Sequence, residues 1–169
     1  GEGVRLRLIN AAVTRYFRLR VTDNNGNQLP LIRVGGEGGL LDQARLEGGM
    51  IGSLDAKYSQ GEILLGVANR ADVVFSVPAN AQSGDILTLW TLDFQHYGTT
   101  QYPFGYAGVP TVPVAHFQVN ESGAMNAVYS LTSGTALRTD PRVNLPVGSI
   151  KNSPLNTLLK PTTLAGSPP

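Results

Sequence analysis

The sequence predicts an all-β domain, a sandwich or barrel of short antiparallel strands, and three observations predict it. Apolar and polar residues alternate with period two wherever the chain carries a clear pattern, as in Val4, Leu6 and Leu8 against Arg5 and Arg7. Turn-forming residues stand between those runs. The composition has only 15% charged residues, with 20 Gly and 11 Pro, and no long run of Ala, Glu, Lys and Leu at helical spacing. A chain of 169 residues with 41% hydrophobic side chains is long enough to bury a core and sits within the size of one domain.

The elements follow in order. Val4 to Leu8 reads as a first half-buried strand, and Phe17, Leu19 and Val21 against Arg18 and Arg20 as a second. Asp23-Asn24-Asn25-Gly26-Asn27 is a turn, because Asp and Asn side chains bond nearby backbone and Gly accepts positive φ. Leu29 to Val34 and Glu62 to Gly66 read as strands, followed by one carrying Val73, Phe75 and Val77. After the turn signals Pro78-Ala79-Asn80 and Ser83-Gly84-Asp85, the run Ile86 to Leu92 has apolar residues on both faces. It is therefore expected to be central or covered. Val114 to Val119 closes a set of about seven or eight strands spaced for a sandwich.

Two regions depart from this pattern. A long loop, Asp93 to Pro113, is dense in aromatics (Phe94, Tyr97, Tyr102, Phe104, Tyr106), and loops of that length are commonly functional or held by a neighbour. After Val119 periodicity is lost, and six of the 11 prolines fall between Pro141 and Pro169. This predicts an ordered domain over 1–130 and an extended interdomain linker or arm over 131–169.

The net charge of +1 supplies no field to gather nucleic acid or an acidic membrane. Ten of the 13 basic residues are Arg, and Arg5, Arg7, Arg15, Arg18 and Arg20 crowd the first 20 positions. Strand alternation explains them as solvent or interface faces. The chain has no Cys, which removes disulfides, thiolate zinc sites and thiolate-bound copper. No run approaches the ~20 apolar residues of a membrane-spanning helix. Gly1 opens with neither Met nor a signal pattern, as expected of a cleaved fragment or an excerpt from a longer chain. The two histidines, His96 and His116, lack a third spaced ligand. Asp93 and His96 lie close together, but no Gly-x-Ser-x-Gly accompanies them to mark a hydrolase. Gly35, Gly36, Gly38 and Gly39 lack the Lys-Ser or Lys-Thr pair and the helix of a phosphate loop, so tight strand connections account for them.

Four segments in sequence carry a resemblance. They are Arg5-Leu6-Arg7-Leu8-Ile9-Asn10-Ala11-Ala12; Leu31-Ile32-Arg33-Val34-Gly35-Gly36-Glu37-Gly38-Gly39-Leu40-Leu41; Ile63-Leu64-Leu65-Gly66-Val67-Ala68-Asn69-Arg70-Ala71-Asp72-Val73-Val74-Phe75; and Val114-Ala115-His116-Phe117-Gln118-Val119. Over residues 3–119 the chain resembles the second, middle cupredoxin domain of three-domain multicopper oxidases, the group of laccases, spore-coat oxidases and bilirubin oxidases. It departs from the family where Val67-Ala68-Asn69 replaces the usual Pro-Gly-Glu before Arg70-Ala71-Asp72-Val73.

The resemblance implies a Greek-key β-sandwich of cupredoxin type and a parent oxidase that couples one-electron oxidation of a substrate to reduction of dioxygen to water. The family's copper is held by a Cys with two His and by several His-x-His pairs, in the first and third domains. None of these is present here, so the resemblance implies no catalytic, cofactor or metal residue in this chain and copper only in the parent. It implies partners in the flanking copper-binding domains, and an exported, periplasmic or spore- or cell-envelope location. Its middle domain spaces the other two and helps wall the substrate approach, which makes His96, Tyr97, Tyr102, Phe104 and Tyr106 the expected substrate-wall or interdomain contacts. Arg5, Arg7, Asn10, Arg70 and Asp72 are expected to be structural, with Arg70 and Asp72 on one strand face bonding neighbouring loops or backbone. Exposed sheet edges would favour self-association. Two other readings keep the fold and drop the chemistry: a copper-free cupredoxin-fold scaffold or interaction protein of the cell envelope, and a free-standing β-sandwich binding module.

Overall fold

A computed structural model of the chain describes residues 2–51, 53–94, 110–120 and 131–137. Eleven strands occur among them: β1 (Gly3–Ile9), β2 (Phe17–Thr22), β3 (Gln28–Leu29), β4 (Ile32–Gly36), β5 (Gly39–Leu46), β6 (Met50–Ile51), β7 (Leu54–Asp55), β8 (Ile63–Leu65), β9 (Arg70–Ser76), β10 (Ile86–Leu92) and β11 (Val112–Gln118). Described helices are absent. All strand pairs are antiparallel.

One sheet has the order β1-β9-β4-β5, the other β11-β10-β2-β3 with β8 also paired to β2, and β6-β7 is a separate small hairpin. Sequence neighbours are repeatedly split between the sheets, so the chain crosses the core rather than meandering along one layer. The period-2 pattern is the reason the layers face each other. Leu19 and Val21 of β2, Ile63 and Leu65 of β8, Ala71, Val73 and Phe75 of β9, and Leu87 and Leu89 of β10 are all buried in one cluster. The rings of Phe75 and Phe117, one from each sheet, lie 5.7 Å apart at 57°.

The strand expected over Leu29 to Val34 is two strands in different sheets. β3 pairs with β2, whereas β4 pairs with β9 and β5. Pro30 separates them. It has no N–H to continue a ladder, and fully buried Leu31 instead donates its N–H to Gly61 O at 2.8 Å. The glycine run also conceals β5. Gly36 pairs with Gly39, whose φ is +102°, to close a tight hairpin, and a Cβ on Gly35 would lie 2.9 Å from Gly39 O.

β10 is central, flanked by β2 and β11, as its two-sided apolarity predicts. Leu87, Leu89 and Thr91 face the core. On the other face, Trp90 donates from Nε1 to Thr22 Oγ1 at 2.9 Å. The Asp23 turn is built as its residues dictate: Asp23 Oδ1 accepts the N–H groups of Asn25 and Asn27, both at 2.8 Å.

The described residues belong to one unit, Gly1–Leu137. Residues 131–137 run along β5: Ala44 N–H donates to Thr135 O and Gly134 N–H to Ala44 O, each at 2.8 Å, and Leu137 N–H to Asp42 O at 2.9 Å. They cover an edge that would otherwise present unpaired backbone. Among the described residues, no helix is long and apolar enough to cross a membrane.

Candidate functional site

The residues expected to form the structural motif converge at β1 and β9. Antiparallel pairing sets Arg7 opposite Asp72 and Ile9 opposite Arg70. Asp72 accepts from Arg5 at 2.5 Å, while Arg7 Nε stands 3.5 Å from its other carboxyl oxygen. Arg70 does not share this partner. Its backbone N–H and its guanidinium both reach Glu37, in the turn between β4 and β5, the latter at 2.9 Å. The backbone N–H of Arg70, with its guanidinium adding to it, holds the Glu37 carboxyl below the usual glutamate range.

Asn10 closes the same end of the sandwich and is only 1% exposed. Its Nδ2 lies 2.7 Å from Arg15 O, 3.0 Å from Leu65 O and 2.9 Å from Gly66 O, and its Oδ1 accepts from Ala12 N at 2.9 Å. Its backbone donates to Asn69 O and accepts from Ala68 N. One side chain therefore ties β1, the loop after it and the β8–β9 connection together.

Sequence reasoning missed two buried carboxylates. Glu62 is completely buried, yet it takes Arg18 Nε on Oε2 and Arg20 Nε on Oε1, both at 2.7 Å, with Ser59 N–H at 2.9 Å. This corrects the expectation that Arg18 and Arg20 are merely solvent or interface faces, because a buried anion draws both guanidinium groups in. Glu47, 8% exposed, is held likewise by Arg33 at 2.9 Å and Arg45 at 2.7 Å. The two glutamates bracket the excursion that carries β6 and β7. Within it, burial, aided by the charge of Glu47, pushes the Tyr58 phenol above its usual range. The available signal was a Glu beside Gly at each end of that excursion, Glu47-Gly48 and Gly61-Glu62, in a chain rich in strand arginines.

His116 is exposed on β11, with Nδ1 3.1 Å from Thr88 Oγ1. Among the described residues, no three His, Asp or Glu side chains gather as a metal would require. The glycines at 35–39 close the β4–β5 hairpin and precede no helix. His96, Tyr97, Tyr102, Phe104 and Tyr106 lie outside the described residues, as does the Pro-rich stretch 138–169.

The two-sheet arrangement has counterparts among solved structures. A variant of the McoA multicopper oxidase from the hyperthermophile Aquifex aeolicus superposes with a TM-score of 0.54 at 21% identity, over 80% of this chain and 24% of that one. The chain has the fold of a multicopper oxidase domain. The McoA multicopper oxidase structure from the same organism gives a TM-score of 0.51 at 22% identity, over 82% of this chain and 26% of the oxidase. The chain thus spans about a quarter of the length of the oxidases it matches. No protein-family model and no curated relative matches it. Within this oxidase-type fold the chain has no Cys to supply a copper thiolate, and among the described residues no ligand set converges on His116, whose ring lies against Thr88.

Proposed function

We propose that this chain is the middle, copper-free domain of a three-domain multicopper oxidase. The supporting observation is a two-sheet antiparallel sandwich that matches about one quarter of a multicopper oxidase, in a chain with no Cys or His-x-His to hold copper itself. In this reading copper belongs to flanking domains of the same protein, where it would oxidise substrate one electron at a time and reduce dioxygen to water. This chain performs no step of that chemistry. It spaces the copper-bearing domains and helps wall the substrate approach, with the aromatic residues from His96 to Tyr106 as interdomain or substrate-wall contacts. Residues 1–130 form the sandwich and 131–169 the arm, with 131–137 as the anchor on β5. The sheet edges at β1 and β11 are the surfaces through which isolated copies would associate.

The test is to express the uninterrupted gene product with copper and measure bound metal, blue absorption and oxygen-dependent oxidation of a phenol. Bound copper with oxidation is expected; a product that takes up no copper and oxidises nothing overturns the reading.

A further inference from the structure

Three apolar side chains stand exposed at the Asn10 end of the sandwich: Ile9 at 67%, Val13 at 88% and Val67 at 39%. Each lies in or beside a segment that Asn10 fixes. Val13 falls between Ala12 and Arg15, both bonded by the Asn10 side chain, and Val67 lies between Gly66 and Ala68, bonded by its side chain and backbone respectively. A buried side chain is thus spent on holding exposed grease in place. Ala68 adds to this, because its φ of +62° is unfavourable for a residue with a Cβ and is kept by its bond to Asn10 O. Rigid loop tips lose little freedom on binding, so apolar groups presented this way suit a docking surface.

Charge selects the partner. Arg7, two residues from Ile9 on the same face of β1, is 77% exposed and stands 3.5 Å from Asp72, whose nearer bond is to Arg5. Arg7 is therefore an incompletely neutralised cation beside the apolar tips. We infer that Ile9, Val13 and Val67 form a preorganised knob that docks into an apolar recess, rimmed by a carboxylate facing Arg7, on another domain of the same protein. This rests on the proposal that the chain is one domain of a longer oxidase.

The chain has no Cys, so a single cysteine placed in it reports its own surroundings. Val13→Cys and, as a reference on another exposed loop, Asn80→Cys are introduced into the uninterrupted gene product and labelled with a maleimide against the parent background. Val13→Cys should react at least tenfold more slowly than Asn80→Cys in the native protein and equally fast in urea. The described residues of this chain leave Val13 88% exposed, so such protection reports a cover other than those residues. Adding Arg7→Glu should speed labelling of Val13→Cys at least threefold; no change there overturns the carboxylate rim. Equal native rates at both cysteines overturn the docking proposal. Copper content measured on the same preparation separates the two readings. Protection without copper sinks the oxidase and keeps the knob, whereas bound copper without protection sinks the knob alone. A gene product with no further domain overturns both.

Discussion

Arg20 and Glu62 meet 42 residues apart in sequence, Nε to Oε1 at 2.7 Å, across β2 and the residue that leads into β8. Glu62 is fully buried, and Arg18 grips its second oxygen. Removing one member of a buried charge group leaves the others desolvated without compensation. Glu62→Gln should therefore destabilise the chain by about 3–5 kcal/mol, read as a fall in the urea midpoint at unchanged slope. A loss below about 1 kcal/mol would show that water solvates the two guanidinium groups adequately.

Asn10 makes a different kind of bond set, neutral and local. Asn10→Ala removes its bonds to Arg15 O, Leu65 O, Gly66 O and Ala12 N, taking the side-chain donor away from three carbonyls at least partly shielded from water. A loss of about 2–4 kcal/mol is expected, together with faster amide exchange at Ala12, Ala68 and Asn69. Retained protection at those amides would mean that the backbone bonds alone hold the loops.

These two sites show what the sequence revealed and what it hid. Alternation placed β1, β2 and β9 because each buries one face, a demand written every second residue, whereas β10 was placed by apolar residues on both of its faces. β5 was hidden because glycines at 35–39 look like a turn whether or not a strand follows. The split at Pro30 was hidden because β3 and β4 join different sheets while their residues run on without a polar break. Asn10 was legible through the family pattern around it. Glu62 and Glu47 were not, since ion pairing across some 40 or 14 residues depends on tertiary contact and leaves no local periodicity.

Acid should weaken the fold through exposed carboxylates. Asp23 is held below its usual 3.8 first by the Asn27 side chain, Asp55 below 3.8 first by Lys57 N–H, and Glu37 below 4.5 first by Arg70 N–H. A folded-state pKa below the unfolded one means the contribution is present above the unfolded values and lost as pH falls through the folded ones. Urea midpoints should therefore decline below about pH 4.5, and Glu37→Gln should flatten that decline. Tyr58 acts at the other extreme. Its pKa is raised above 10.0, so its contribution is present below 10.0 and lost as pH climbs through the folded value. Tyr58→Phe should reduce the alkaline loss; an unchanged alkaline limb would count against this assignment.

Trp90 is the only tryptophan, and its indole N–H is bonded to Thr22 Oγ1 at 2.9 Å. Thr22→Val preserves shape and removes the acceptor, stranding the N–H on a half-buried ring. The change should cost about 1–2 kcal/mol and shift the tryptophan emission, giving a native optical probe of the β2–β10 pairing. An unaltered spectrum would show that another acceptor replaces the hydroxyl.

Arg5 and Arg7 give the sharpest separation of stability from assembly. Both are substantially exposed, at 49% and 77%, and both lean on the single carboxylate of Asp72. Exposed ion pairs contribute little to folding because solvent screens them and the side chains lose freedom in forming them. Arg5→Ala and Arg7→Ala should each change stability by less than about 1 kcal/mol. If β1 forms part of an interdomain face, the same changes should loosen the uninterrupted protein far more, seen as faster limited proteolysis between its domains. Unaltered proteolysis with small stability changes would return both arginines to a solvated strand face, and a stability loss comparable to that of Asn10→Ala would make them part of the core support instead.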